Sequence, residues 1–128
     1  MSINGGSRRL SRQEIGRIGE QEACERLAAA SYNIRERNWR CRTGEIDIIA
    51  EKEGRIVIVE VRTRKTGGRF GAAAESVDYR KQRQVRETAL VYLRMTGQAD
   101  SAMRFDVITV ELNESIEVIS FKHIEAAF

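Results

Sequence analysis

Two short runs decide most of what this chain can become. They are residues 44–50 (GEIDIIA) and 55–64 (RIVIVEVRTR), joined by Glu51-Lys52-Glu53-Gly54. Both are dense in Ile and Val, whose branched side chains favour a pleated backbone. Gly54 supplies the positive φ that a tight hairpin turn wants, so the runs read as antiparallel strands. Strands apolar on both faces lie in the middle of a sheet covered by helices. Yet Asp47 lies between isoleucines and Glu60 between valines. A carboxylate in such surroundings is costly unless it is paired or coordinates a metal.

Register decides how the two acids meet. A two-residue turn at Glu53-Gly54 pairs Lys52 with Arg55 and sets Asp47 opposite Glu60; a four-residue loop sets Glu60 opposite Glu45, with Asp47 diagonal to it. Either way the acids share a face, because only an odd slip inverts one strand. Directly opposed Cβ atoms stand about 5 Å apart. Carboxylates that close repel unless a proton or cation lies between them, and hard divalent ions such as Mg²⁺ suit their oxygens. Arg62 projects from the face of Glu60. The competing reading makes Asp47 and Glu60 solvent-facing edge charges, with Arg62 as a surface ion-pair partner.

Around this hairpin the chain spells α-β-β-β-α-β-β. Ser11-Arg12-Gln13-Glu14 has the form of a capping box and opens a helix to about Ala30. Its stripe Gly16, Gly19, Ala23, Leu27 and Ala30 lets the helix approach a sheet closely and leaves Glu20 at the margin. Residues 32–40 form an irregular strand. A Gly-rich loop over 65–75 precedes a second helix, about 76–96, whose inner stripe is Val77, Val85, Thr88 and Tyr92, with Lys81 near its middle. Gly97 suits the end of that helix. Strands follow over 104–112 and 116–122. This order predicts an α/β fold, a central mixed sheet flanked by helices, in one domain over 11–128 after a flexible basic arm at 1–10.

The chain has 128 residues, 22 Lys+Arg and 19 Asp+Glu, a formal charge of +3. That length suits one domain with one sizeable core. No apolar run reaches the ~20 residues of a bilayer-spanning helix, and the basic N-terminus lacks the apolar stretch of a secretory signal. Cys24 and Cys41 form no disulfide framework and no zinc-ligand spacing. The expectation is a cytoplasmic protein with no membrane partner. His123, the single histidine, and Asp106 read as structural, Asp106 pairing with a basic residue. Trp39 reads as a core anchor. Arg35, Arg37, Arg40 and Arg42 alternate along a strip that suits a phosphate backbone or a merely solvated face.

Gly16-x-x-Gly19-Glu20, Asn38-Trp39-Arg40, Gly44-Glu45-Ile46-Asp47, residues 59–64 (VEVRTR), Phe70-Gly71, Lys81 and Arg104-Phe105-Asp106-Val107 occur in this order. Together they resemble the PD-(D/E)xK nuclease superfamily and, more closely, the YraN family of small bacterial proteins related to Holliday-junction resolvases. The resemblance implies a restriction-endonuclease-like fold, with Glu20, Asp47, Glu60 and the Val61 carbonyl around Mg²⁺ or Mn²⁺. It also implies a catalytic set of Asp47, Glu60, Arg62 and Lys81 acting on DNA phosphodiesters, branched DNA among them. Arg40, Arg42, Arg64, Arg69 and Lys81 are the expected DNA contacts, and symmetric cleavage of a junction would suit a homodimer. One position departs from the superfamily pattern: Arg62 stands where a lysine is usual. Arginine keeps the charge and grips phosphate bidentately, but cannot serve as a base. The alternative expectation is therefore a non-catalytic nucleic-acid-binding module on a degenerate nuclease fold.

Overall fold

The computed structural model describes residues 9–66 and 77–128. Helix α1 (Arg12–Ala29) starts on the expected capping box. The Glu14 amide donates to Ser11 Oγ at 3.1 Å, and the Ser11 amide donates to Glu14 Oε1 at 2.8 Å. Then come β1 (Asn33–Cys41), β2 (Gly44–Lys52), β3 (Arg55–Lys65), α2 (Tyr79–Met95), β4 (Met103–Leu112) and β5 (Val118–Ile124). The predicted element order is the observed one. The strands lie side by side as β1-β2-β3-β4-β5. All neighbours are antiparallel except β3 and β4, which the α2 crossover makes parallel.

Of the two hairpin registers, the chain adopts the tighter, with Lys52 opposite Arg55. Glu53 and Gly54 both take left-handed φ, 51° and 78°, as a turn matched to strand twist requires.

The sheet is covered on both faces, which is why its central strands are apolar throughout. Ala23, Cys24 and Leu27 of α1 pack on Ile48, Ala50, Val57, Val59, Ile108 and Val110. Val85, Ala89, Tyr92 and Leu93 of α2 pack on Ile46, Ile49, Ile56, Ile58 and Phe105. Each fully buried Ile or Val contributes about 1.5–3 kcal/mol. Trp39 is the expected anchor, edge-on to Tyr92 with centroids 5.2 Å apart. Gly19 permits the predicted close approach of α1, since a Cβ there would fall 1.8 Å from Thr63 Oγ1. Ala30 departs from the expected stripe: the helix ends before it and it is exposed. The Gly-rich stretch beyond Thr66, the start of the predicted second helix at Ser76 and most of the N-terminal arm lie outside the described residues.

At the β4–β5 side, Asp106 is fully buried and paired as expected. Arg104 donates to it from Nε at 2.9 Å and Nη2 at 2.7 Å, and the Ala126 amide donates at 3.0 Å. His123 Nε2 lies 2.7 Å from Asp106 Oδ2, so the single histidine has a partner that sequence spacing did not reveal. Burial alone would raise the Asp106 carboxyl, but the bonds from His123, Arg104 and the Ala126 amide outweigh it and hold the pKa low.

Candidate functional site

Strands β2 and β3 part company at the two acids. Their ladder runs from Lys52–Arg55 to Ile48–Val59 and stops. From there residues 44–46 of β2 are paired only with β1, and residues 60–65 of β3 only with β4. Asp47 and Glu60 stand where the sheet forks. A buried amide freed by such a fork needs another acceptor; the Val61 N–H finds it in Asp47 Oδ2, at 2.8 Å.

Local backbone geometry explains the fork. Along β3, Ile56 and Ile58 face α2 while Val57 and Val59 face α1, so the regular pleat aims Glu60 and Arg62 to the α2 side. On β2 the alternation fails: Ile48 packs towards α1, yet Ile46 and its β1 partner Trp39 pack towards α2. Asn38, next to Trp39, has a left-handed φ of 50°. The β1–β2 ribbon therefore turns over beside Asp47, pulling it away from straight pairing with β3.

Glu60 is 5% exposed. Its Oε1 lies 3.6 Å from Lys81 Nζ, while Oε2 has no hydrogen-bond partner among the described residues. Burial pushes the Glu60 carboxyl up to about 8, with further upward pressure from Asp47 that Lys81 only partly offsets. Burial likewise lifts Asp47 to about 6; the Val61 amide opposes this, and the charge of Glu20 adds to it. Two raised carboxyls with an unpartnered oxygen between elements form a seat for a proton or a cation.

The other expected site residues divide around this seat. Lys81 reaches it from α2 with its side chain 39% exposed. Arg62 is half-buried on β3 and has no ion-pair partner among the described residues. Val61 is held at the fork by its amide bond to Asp47. Glu20 comes from α1, on the opposite side of the sheet from Lys81. Its charge is felt by Asp47, but its Oε1 accepts from Asn38 Nδ2 at 3.0 Å. Among the described residues no three His, Cys, Asp or Glu side chains are gathered into a metal-binding group. Asp47 and Glu60 fit a divalent ion by their chemistry and their orphaned oxygen; Glu20 is not gathered in with them.

The expected DNA contacts are dispersed. Arg40 is well exposed and pairs with Glu45 at 3.1 Å; Arg42 is exposed, and Arg64 is half-buried with a partner. Arg69 lies outside the described residues. In the arginine strip, Arg35 stands 3.8 Å from Glu51 and Arg37 donates to Gln21 at 3.0 Å. These pairings make the strip less free than its sequence suggests. A cleft of about 240 Å³ lined by Gln13, Gly16, Arg17, Glu20, Asn38, Arg40 and Glu45 opens on the α1 side.

Sequence reasoning missed how α2 is set at the height of Glu60. Gln84 Nε2 donates to the Thr43 carbonyl at 3.1 Å, and the Thr43 and Thr88 hydroxyls lie 3.0 Å apart. Gly44 makes room for this, since a Cβ there would fall 2.8 Å from Gln84 Nε2 and φ is +153°. The bonds tie α2 to the β1–β2 turn three and seven residues beyond Lys81. Gly44 was the available signal, a glycine opening a strand of high β-propensity.

Fold and site together define a three-layered α/β domain, helix on sheet on helix, whose sheet forks around Asp47 and the buried Glu60. The model of a family described as "Uncharacterised protein family UPF0102" matches residues 19–110. The chain belongs to that family, the YraN family to which its motifs point. A UPF0102 protein of Desulforamulus reducens is 44% identical over 120 residues, covering 92% of this chain and 98% of the relative. One from Moorella thermoacetica is 44% identical over 119 residues, covering 93% and 98%. Among solved structures, a chain of an EndoMS–dsDNA2 complex is similar with a TM-score of 0.39 and 14% identity. The match takes in 87% of this chain and 39% of that one. No helix of the described residues is long and apolar enough to cross a membrane.

Proposed function

We propose that this protein is a metal-dependent phosphodiesterase-type domain that acts on DNA, branched or otherwise structured DNA included. The observation that carries the reading is Glu60: a carboxylate buried in an apolar central strand, beside a second acid, with one oxygen unpartnered among the described residues. A fold tolerates that arrangement when a cation completes it. Asp47 and Glu60 would hold Mg²⁺ or Mn²⁺, with the Val61 carbonyl as a further ligand; Glu20 would join them only on leaving Asn38. Such an ion supplies positive charge for a phosphoryl transition state and activates water. Arg62, on the face of Glu60, braces a phosphate through its planar fork of donors. Lys81 opposes the charge on Glu60 and adds a second cation for the phosphate.

A nuclease assay on junction, flap, single-stranded and linear duplex DNA with Mg²⁺, Mn²⁺ or EDTA tests this. The reading expects metal-dependent cutting that Glu60→Ala abolishes. Absence of any metal-dependent product, with Glu60→Ala indistinguishable from wild type, would reject it.

Two observations favour a second reading, a nucleic-acid-binding module without catalysis. Arg62 cannot be a base, and Asn38 occupies Glu20. Binding would then persist in Asp47→Ala, need no divalent ion and weaken steeply with salt.

A further inference from the structure

The charge of this molecule is unevenly placed. Helix α2 carries Arg80, Lys81, Arg83, Arg86 and Arg94 against Glu87 alone, a net +4, which exceeds the +3 of the whole chain. Helix α1 carries Arg12, Arg17 and Arg26 against Glu14, Glu20, Glu22 and Glu25, a net −1. The two sides of the sheet therefore offer opposite invitations to a polyanion, and the α2 side is the attractive one.

At the site end of that basic helix stands an aromatic ring. Tyr79, its first residue, is 81% exposed, the most exposed of the large hydrophobic side chains among the described residues. At ~100° per residue, Tyr79 and Arg83 share the outward face, with Arg80 a third of a turn away; Arg80 and Arg83 are both exposed. Lys81, only ~3 Å further along the axis, turns inward to Glu60. Among the described residues Arg83 pairs only with an exposed neighbour in the helix, Glu87 at 3.8 Å, a contact worth little in water. Exposing a tyrosine ring beside solvated cations leaves apolar area in solvent with no internal gain. A flat π-face flanked by guanidinium groups matches an unpaired base flanked by its phosphates.

We infer that the first turn of α2 is a docking surface for an unpaired DNA strand. Tyr79 stacks on one base while Arg80 and Arg83 hold the adjoining phosphates. The inference rests on the proposed function for the kind of partner and deepens it, because it names the substrate class. The site takes DNA with single-stranded character next to the phosphate at Lys81. A continuous duplex keeps its bases stacked inside and cannot offer one to Tyr79 without a cost of a few kcal/mol.

Fluorescence anisotropy in EDTA, where no metal-dependent cutting occurs, tests the surface apart from catalysis. The probes are a labelled single-stranded oligonucleotide and the fully paired duplex of the same sequence. Tyr79→Ala should weaken single-strand binding roughly 5- to 150-fold, the range for loss of one base–aromatic stack, and leave duplex binding within about twofold. Tyr79→Phe should restore wild-type affinity. Arg80→Ala with Arg83→Ala should lower the salt dependence by about two phosphate contacts. A 2-aminopurine in the strand should be quenched by wild type and less so by Tyr79→Ala.

Equal single-strand affinity in wild type and Tyr79→Ala would overturn the inference. So would equal weakening on both probes, or no single-strand binding by wild type, which would leave this face to a protein partner. The two readings can fail separately. A Tyr79-dependent binder that cuts nothing keeps this surface and removes the nuclease activity. A nuclease indifferent to Tyr79 does the reverse.

Discussion

Replacing Glu60 by glutamine should stabilise the metal-free protein at alkaline pH, although Glu60 is among the most buried polar groups in the chain. The carboxyl is raised from its ordinary 4.5 to about 8, first by burial and then by Asp47. Its folded-state pKa therefore lies above its unfolded value. The fold favours the protonated acid, an advantage fully present below about 4.5 and lost as pH rises through about 8. At ~1.4 kcal/mol per pKa unit, the full penalty for ionising the site approaches ~5 kcal/mol. Asp47 titrates with Glu60 as a pair, so changing Glu60 alone should release about 2–4 kcal/mol of it. Glutamine keeps the shape and cannot ionise. Urea unfolding in EDTA at pH 5 and pH 8.5 reads the effect: wild type should lose stability between them, and Glu60→Gln should lose far less and exceed wild type at pH 8.5. Asp106 does not confuse this window, because its lowered pKa places its own loss of stability on the acid side of its ordinary 3.8. Glu60→Gln less stable than wild type at pH 8.5 would refute the reasoning, since it would make the ionised carboxylate a net asset without metal.

Other perturbations probe the framework. Gly19→Ala puts a methyl 1.8 Å from Thr63 Oγ1, and overpacking of that kind should cost about 1–3 kcal/mol in denaturant unfolding; an unchanged midpoint would mean that α1 does not sit this close to the sheet. Asp106→Asn removes the acceptor shared by Arg104 and His123 and should cost about 3–5 kcal/mol, as breaking a buried charge pair does. Its thermal midpoint should fall sharply at pH 7, and a shift of a degree or less would deny the cluster a structural role. Ser11→Ala removes one half of the α1 capping box and should cost about 1 kcal/mol, checked by the same unfolding curves.

The hairpin was legible because it is governed by local rules. Alternating burial, the Glu53-Gly54 turn and the parity of strand pairing placed Asp47 and Glu60 together before any tertiary information entered. The capping box, the close helix approach at Gly19 and the inward aim of Lys81 were likewise written in spacing. What escaped was long-range. Nothing local to Asn38 says that its left-handed turn flips Trp39 and Ile46 to the α2 side, or that its amide donates to Glu20. The pairing of His123 with Asp106 depends on β5 lying beside β4, with Ile108 opposite His123. The arginine strip looked free because its partners Gln21, Glu45 and Glu51 come from other elements.

The most direct measurement is a calorimetric titration of Mn²⁺, and in parallel Mg²⁺, into wild type, Asp47→Asn and Glu60→Gln at pH 8. If these two side chains grip one ion between them, wild type gives a saturable heat and both variants lose it while remaining folded. Identical isotherms in all three proteins, or no heat in any, would mean that the buried acids serve protons alone.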